Sequence, residues 1–390
     1  MFFWKKNKSE NKIKMMSNTV AVCPKGHTFS VAEFTECPFC NPKSQKKKSS
    51  LQKDIETGIH GTRIIPVSPN NDFGKGSEDT ITDVTIIGTP MKDLSSDGLE
   101  RLGGGAEGTV YALDDDRILK IYKNTNEDQI RKWYRNIKAV DKSGVRCAKA
   151  YEMVRADEGY GIIFEKLIGR NLGWTINAHP EKLEEYAVKM GRFLKKINSS
   201  HDENHKLEKI TDRMLADLDT VSRRNIASGA DLGAIEGFFR SIEDRNTLVH
   251  CDYHEGNVIV DENDELILID LDRMGVGHPI YELVGNYLNH DVLIAKNPEF
   301  AGKSWGLNME QIIRIKKIML ETYYGTSDEK KLEEYLGIVR DAFLVRSTLF
   351  PISPMFGMDD EAGRAYIKDR LGSLSCSISE LPDRIKSLPI

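Results

Sequence analysis

The sequence predicts an α+β protein of two lobes, a β-rich one followed by a helical one, and three observations predict it. From about Ser95 to Glu165, short β-branched runs are bounded by glycine or acidic turns, with one helical stretch between them. After Asn171 the apolar spacing becomes mainly helical. Within that second half, the polar loop His250-Cys-Asp-Tyr-His-Glu-Gly-Asn257 lies between two apolar runs, with Asp270 one hairpin further on.

At 390 residues and 39% hydrophobic content the chain is expected to hold more than one module. The net charge of -5 hides an asymmetry. Within residues 1–53, eleven lysines against Glu10, Glu33 and Glu36 leave a surplus of 8, so the remainder carries about -13. These lysines are scattered and no arginine stands among them, which reads as a solvated tail rather than a nucleic-acid surface. No stretch approaches the length of a membrane span, and Met1-Phe-Phe-Trp4 falls far short of a signal-peptide core. Six cysteines in so long a chain make no disulfide scaffold, so a reducing cytoplasm is the expected location.

Residues 1–18 read as a disordered basic tail. Residues 19–42 hold Cys23-Pro-Lys-Gly-His27 and Cys37-Pro-Phe-Cys40, two short knuckles nine residues apart. Thiolate and imidazole at this spacing suit tetrahedral Zn²⁺, and four protein ligands leave no position open for catalysis. A segment this small has no core of its own, so the metal would supply most of its folding free energy. The alternative is a coincidence of inert cysteines with a loop histidine. Residues 43–94 follow as a linker rich in Thr, Asn, Asp and Gly, although the apolar runs Thr62 to Val67 and Val84 to Ile87 are also compatible with isolated strands.

The β-rich lobe spans 95–168, with its helix near Glu127 to Val140. It contains Gly103-Gly-Gly105-Ala-Glu-Gly108-Thr-Val110, where missing Cβ atoms let backbone N–H groups approach phosphate oxygens. The run after it is strand-like, which argues against a dinucleotide fingerprint, while a glycine-rich hairpin turn would leave the same trace. In Arg117-Ile-Leu-Lys120-Ile-Tyr122 the alternation puts Lys120 on one face with Ile118 and Tyr122. An ammonium in that company needs a counter-charge such as a nucleotide phosphate, unless the strand is an edge from which it reaches water.

The helical lobe spans 169–390, with helices expected over His179 to Ser199, Glu208 to Ile226 and Asp231 to Ile242, a hairpin over 257–270, and helices to the end. Asn257 and Asp270 then face each other across the hairpin as hard oxygen ligands of the kind Mg²⁺ accepts. Asp252 stands outside that pair, placed to accept a proton from an attacking hydroxyl.

His-Cys-Asp-Tyr-His-Glu-Gly-Asn followed by Ile269-Asp-Leu-Asp-Arg-Met-Gly-Val-Gly-His-Pro279 resembles the H-x-D-x-H-x-x-N and I-D motifs of the aminoglycoside phosphotransferase and choline kinase-like family, over roughly residues 97–390. The resemblance implies a protein kinase-like fold and transfer of the ATP γ-phosphate to a hydroxyl of a small molecule. It makes Asp252 the catalytic base, Asn257 and Asp270 the Mg²⁺ ligands, Lys120 and the glycine loop with Val110 the phosphate site, and Glu165 to Leu167 the adenine-facing hinge. His250 and His254 are similar to loop-shaping histidines, expected to be hydrogen-bonded.

Three departures stand out. Kinase-like enzymes pair the strand lysine with a helix glutamate, yet no Glu lies between Asp128 and Tyr151, leaving Glu127 or phosphate alone to organise Lys120. Cys251 stands where glycine is common, and Asn198 where histidine often ends the preceding helix. Asp272 is expected to pair with Arg273 or solvent, with assistance to Asp270 at the metal as the alternative. Two further readings stay open: a protein Ser/Thr kinase with partners recruited through the zinc module and the Thr-rich linker, and a nucleotide-binding scaffold without turnover.

Overall fold

In the computed structural model the described residues are 90–104, 108–157, 159–353, 356 and 358–390, with the backbone of three short strands nearer the N-terminus. The chain divides into two units, Met1–Ile59 and His60–Ile390. In the first, β1 (Lys14–Met15), β2 (Val20–Val22) and β3 (Thr28–Ser30) form an antiparallel sheet in chain order. Cys23, His27, Cys37 and Cys40 lie outside the described residues, as does Gly105 of the glycine loop.

The second unit opens with a six-stranded sheet made of β4 (Lys92–Leu94), β5 (Arg101–Gly104), β6 (Gly108–Ala112), β7 (Arg117–Tyr122), β8 (Ala150–Ala156) and β9 (Gly159–Glu165). Its order is β4-β8-β9-β7-β6-β5, parallel at β4 and β8 and antiparallel elsewhere. The stretch expected to be linker therefore ends in a strand.

Between β7 and β8 runs α1 (Glu127–Lys142), capped by Asn126, whose side chain accepts from the Gln129 N–H at 2.9 Å. Its Ile130, Tyr134, Ile137 and Val140 recur at helical spacing and are buried against the sheet. Alternation along β7 sends Tyr122 and Ile118 into this main core. Leu119 and Ile121 go to a smaller cluster with Val154 and Ile163 on the other face.

The helical lobe begins with β10 (Gly169–Asn171), α2 (Leu172–Ala178), α3 (Leu183–Ser199), α4 (Ile210–Arg223) and α5 (Gly229–Ser241). It continues with β11 (Leu248–Val249), β12 (Val258–Asp261), β13 (Leu266–Leu268) and β14 (Gly275–Val276). Next, α6 (Ile280–Tyr287) passes without a break into a π-helical turn at Leu288–Leu293. Then come α7 (Pro298–Trp305), α8 (Met309–Tyr324), α9 (Glu329–Ser347), α10 (Asp360–Gly372) and α11 (Leu381–Lys386).

Three of the helices predicted from apolar spacing appear within a few residues of their expected limits. The pairing of β10 with β12 and of β11 with β14 has no local signal, because the partners lie far apart in the chain. In this lobe α8 packs on α3 and α9 on α6. Among the described residues no helix is long and apolar enough to cross a membrane.

Candidate active site

Lys120 projects from β7 toward the helical lobe. Its Nζ stands 2.5 Å from Asp270 Oδ1 and 2.8 Å from Asp272 Oδ2, and lies 4.6 Å from the centre of the Tyr122 ring. The Tyr122 hydroxyl donates to Asp272 Oδ1 at 2.9 Å. Burial would lower the Lys120 pKa, but Asp272 and Asp270 outweigh it and hold the ammonium above its ordinary range. Burial and the neighbouring Asp270 charge push Asp272 up, while Lys120 holds Asp270 below the usual carboxylate range against its burial.

Asp272 thus pairs with Lys120 and Tyr122, not with Arg273 or solvent as its sequence neighbourhood suggests. The cause is local: Asp270 is left-handed, with φ 62°, and Leu271–Arg273 form a tight turn, which brings both carboxylates to one cation. Glu127 does not reach Lys120. It pairs with Arg131 at 2.7 Å and faces Arg155 at 3.8 Å, while Trp133 of α1 packs 4.8 Å from the Tyr122 ring.

Gly103 lies opposite Val110, and Val110 opposite Lys120, so the first motif runs beside the strand that carries the lysine. Gly108 crosses β7 so closely that a Cβ would stand 2.4 Å from the Ile121 carbonyl oxygen, which only glycine avoids. Glu165 ends β9, its N–H donating to the Lys149 carbonyl at 2.9 Å and its carboxylate accepting from the Lys149 N–H at 3.2 Å. Leu167 packs at the edge of the main core.

In the β12–β13 hairpin Val258 faces Leu268, and the Ile269 N–H donates to the Asn257 carbonyl at 3.0 Å. That register brings Asn257 beside the segment that leads into Asp270. The Asn257 amide donates to the Asp252 carbonyl at 2.9 Å and lies 3.4 Å from Asp252 Oδ2. His250 Nε2 contacts the Ile269 carbonyl at 3.1 Å, and His254 Nδ1 accepts from the Gly256 N–H at 2.9 Å while its ring stacks on Trp305 at 4.5 Å. Both histidines are hydrogen-bonded and burial lowers the His254 pKa. Cys251 adopts φ 68°, a conformation in which glycine is unstrained. Asn198 bridges α3 to the loop strand, donating to the Leu248 carbonyl at 3.0 Å and accepting from the Tyr323 hydroxyl at 2.8 Å.

What sequence reasoning missed is the support of this loop by α6 and its π turn. Glu282, fully buried, accepts from the His250 N–H at 2.5 Å and the Cys251 N–H at 3.3 Å, and burial raises its pKa. Asn286 donates to the Tyr253 carbonyl at 3.2 Å. Asn289 donates to Asp252 Oδ1 at 2.9 Å. His290 lies 3.0 Å from Glu255, and in this buried pair each charge outweighs the other's burial, so His290 is shifted up and Glu255 down. The signal available in the sequence is that Glu282, Asn286 and Asn289 follow one another at spacings of four and three residues, with His290 four past Asn286, on a mainly apolar helix. Gly285 permits the approach, since a Cβ there would stand 2.4 Å from the Cys251 carbonyl oxygen.

Solved aminoglycoside phosphotransferases show distant likeness to the chain. The ADP-bound APH(2'')-Ib is 15% identical with a TM-score of 0.46, covering 73% of this chain and 94% of its own. The ternary complex of APH(2'')-IIa with streptomycin and ATP is 14% identical with a TM-score of 0.45, covering 73% and 93%. APH(4)-Ia is 14% identical with a TM-score of 0.45, covering 74% and 94%. Among curated proteins none matches. The profile of the phosphotransferase enzyme family matches residues 98–301, which contain Lys120, Asp252, Asn257 and Asp270 and make up more than half of the sequence. The chain belongs to that phosphotransferase enzyme family and is an ATP-dependent phosphotransferase acting on hydroxyl groups.

Proposed function

We propose that the protein transfers the γ-phosphate of ATP to a hydroxyl of a small molecule, with Asp252 as catalytic base. The observation that carries this reading is the meeting of Lys120 from one lobe with the Asn257–Asp270 hairpin of the other, directly beside Asp252. Oδ1 of Asp252 is held by Asn289 at 2.9 Å, and Oδ2, touched among the described residues only by the Asn257 amide at 3.4 Å, keeps a lone pair for the proton of the acceptor. The acceptor O–H bond breaks toward that carboxylate as its oxygen bonds the γ-phosphorus, and the bond from phosphorus to the bridging oxygen breaks to leave ADP.

Asn257 and Asp270 fit a magnesium ion. The Asn257 amide nitrogen is committed to the Asp252 carbonyl, so its side-chain oxygen is the atom that would take the metal, and the hairpin register brings Asn257 next to the segment that leads into Asp270. Among the described residues no three His, Cys, Asp or Glu converge on a metal site, and Mg²⁺ needs no such cage because it shares phosphate oxygens and water. The ion when bound would neutralise charge on those phosphate oxygens.

Gly103, Gly105, Gly108 and Val110 would cover the phosphates, Lys120 would meet them while holding Asp270, and Glu165 to Leu167 would face the adenine. The absence of an α1 glutamate does not leave Lys120 unpaired, since Asp270 and Asp272 neutralise it. That removes the physical motive for a scaffold without turnover. Cys23, His27, Cys37 and Cys40 are proposed to hold a structural Zn²⁺ in a cytoplasmic protein.

Incubation with labelled ATP and Mg²⁺ across a panel of hydroxylated small molecules tests the reading. Transfer that disappears in Asp252→Ala supports it, and label on casein-like protein but on no small molecule overturns the choice of acceptor. Unweakened Mg-dependent nucleotide binding in Asp270→Ala would overturn the metal assignment. Absence of about one zinc per chain would overturn the zinc site.

A further inference from the structure

Two helices far apart in sequence approach the loop of Asp252, and each brings an arginine. Arg213 of α4 donates to the carbonyls of Arg273 at 2.9 Å and Met274 at 3.4 Å, and pairs with Glu208 at 2.9 Å. Arg346, in the last turn of α9, interacts electrostatically with the Cys251 thiol, Arg273, Arg213 and Asp252. The Cys251 thiol in turn feels all three guanidinium groups. Burial nonetheless raises the pKa of that thiol, so it supplies them no anion.

Unlike Arg213, Arg346 makes no side-chain hydrogen bond or ion pair among the described residues. Its Nη1 is buried without a hydrogen bond, and among the described residues no carboxylate stands within ion-pair distance of its side chain. Arg346 is half-buried as a residue, and a buried donor nitrogen left without an acceptor in a native structure calls for a partner. Asp217 of α4 faces Arg213 and Arg346 electrostatically but pairs with neither, and burial holds its pKa above the usual carboxylate range. Glu184 and Glu185 of α3 are engaged by Arg314 and Lys189.

We infer that Arg346, flanked by Arg213 and Arg273, binds an anionic group of the acceptor, so that the hydroxyl substrate is a small acid bearing a carboxylate or a phosphate. A guanidinium fork matches either group. The inference rests on the phosphotransferase reading, because it identifies the acceptor by its nearness to Asp252.

The test has two arms. With the nucleotide site filled by Mg²⁺ and a non-hydrolysable ATP analogue, inorganic phosphate is titrated at constant ionic strength into the full chain, Arg346→Gln and Arg346→Lys. Binding weakened about tenfold or more in Arg346→Gln and largely kept in Arg346→Lys is the expected result. Equal binding in all three, or none in wild type, overturns the anion site. Phosphate transfer is then compared among glycerol, 3-amino-1,2-propanediol, glycerate and glycerol 3-phosphate. Preference for either acid supports the inference and names the anion, while preference for the amine or for glycerol overturns it. Binding of the ATP analogue, measured first, tests the phosphotransferase reading separately: its failure sinks that reading, and phosphate binding that depends on Arg346 would still stand.

Discussion

Asn289 donates its side-chain amide to Oδ1 of Asp252 at 2.9 Å, and it does so from a π-helical turn that continues α6. A π turn shifts the helix face by a residue, and here Asn289 and His290 both meet the loop, one at Asp252 and the other at Glu255. Asn289→Ala should lower kcat about 10- to 100-fold with little change in the KM for ATP, because Asp252, the proposed base, loses its orientation while the nucleotide site is untouched. Steady-state kinetics with the acceptor identified by the panel would check this. An unchanged kcat would mean that Asp252 is oriented by Asn257 alone.

Lys120→Met should cost stability as well as nucleotide binding. It leaves Asp270 and the buried Asp272 without their cation, at roughly 2–4 kcal/mol. Urea unfolding of the single variant beside Lys120→Met/Asp272→Asn separates the two effects. The second change should recover part of the stability and none of the nucleotide affinity.

Glu282→Ala should destabilise the protein by about 2–4 kcal/mol, since it strands the His250 and Cys251 N–H donors in a site closed to water. Glu282→Gln, which keeps an acceptor oxygen, should cost less. Hydrogen exchange at those two amides would show faster exchange in the alanine variant if the carboxylate is what holds them.

His278 gives a pH dependence. Its Nδ1 accepts from the Ile280 N–H at 3.1 Å at the start of α6, and burial, reinforced by Arg245, lowers its pKa from 6.5 to about 4. The folded state therefore binds this proton less readily than the unfolded one. The stabilisation is complete above pH 6.5 and is lost as pH falls toward 4, on the order of 3 kcal/mol. His278→Asn should flatten that part of the curve of Tm against pH, and an identical slope in both proteins would refute the assignment.

The hairpin that brings Asn257 beside Asp270 was legible because its two strands and its Asp261 to Glu265 turn are contiguous, so local alternation fixes the register. The face of Lys120 was legible for the same reason. Its partners were not, because Asp270 and Asp272 lie 150 and 152 residues away and no local period reports them. Asp272 was misread because its neighbour Arg273 is the obvious partner in an extended chain, and the left-handed Asp270 removes that option.

By itself the sequence determined the two-lobed α+β class, the positions of the helices near Glu127, His179, Glu208 and Asp231, the order of the motifs and the hairpin between Asn257 and Asp270, since periodicity and short spacings encode all of these. The tertiary structure alone decided which charges meet. It gave Lys120 two aspartates in place of a helix glutamate, turned α6 into the support of the Asp252 loop, and left the buried Nη1 of Arg346 without an acceptor among the described residues. The physical reason is that such pairings are set by packing between segments distant in the chain, where burial fixes the worth of each charge.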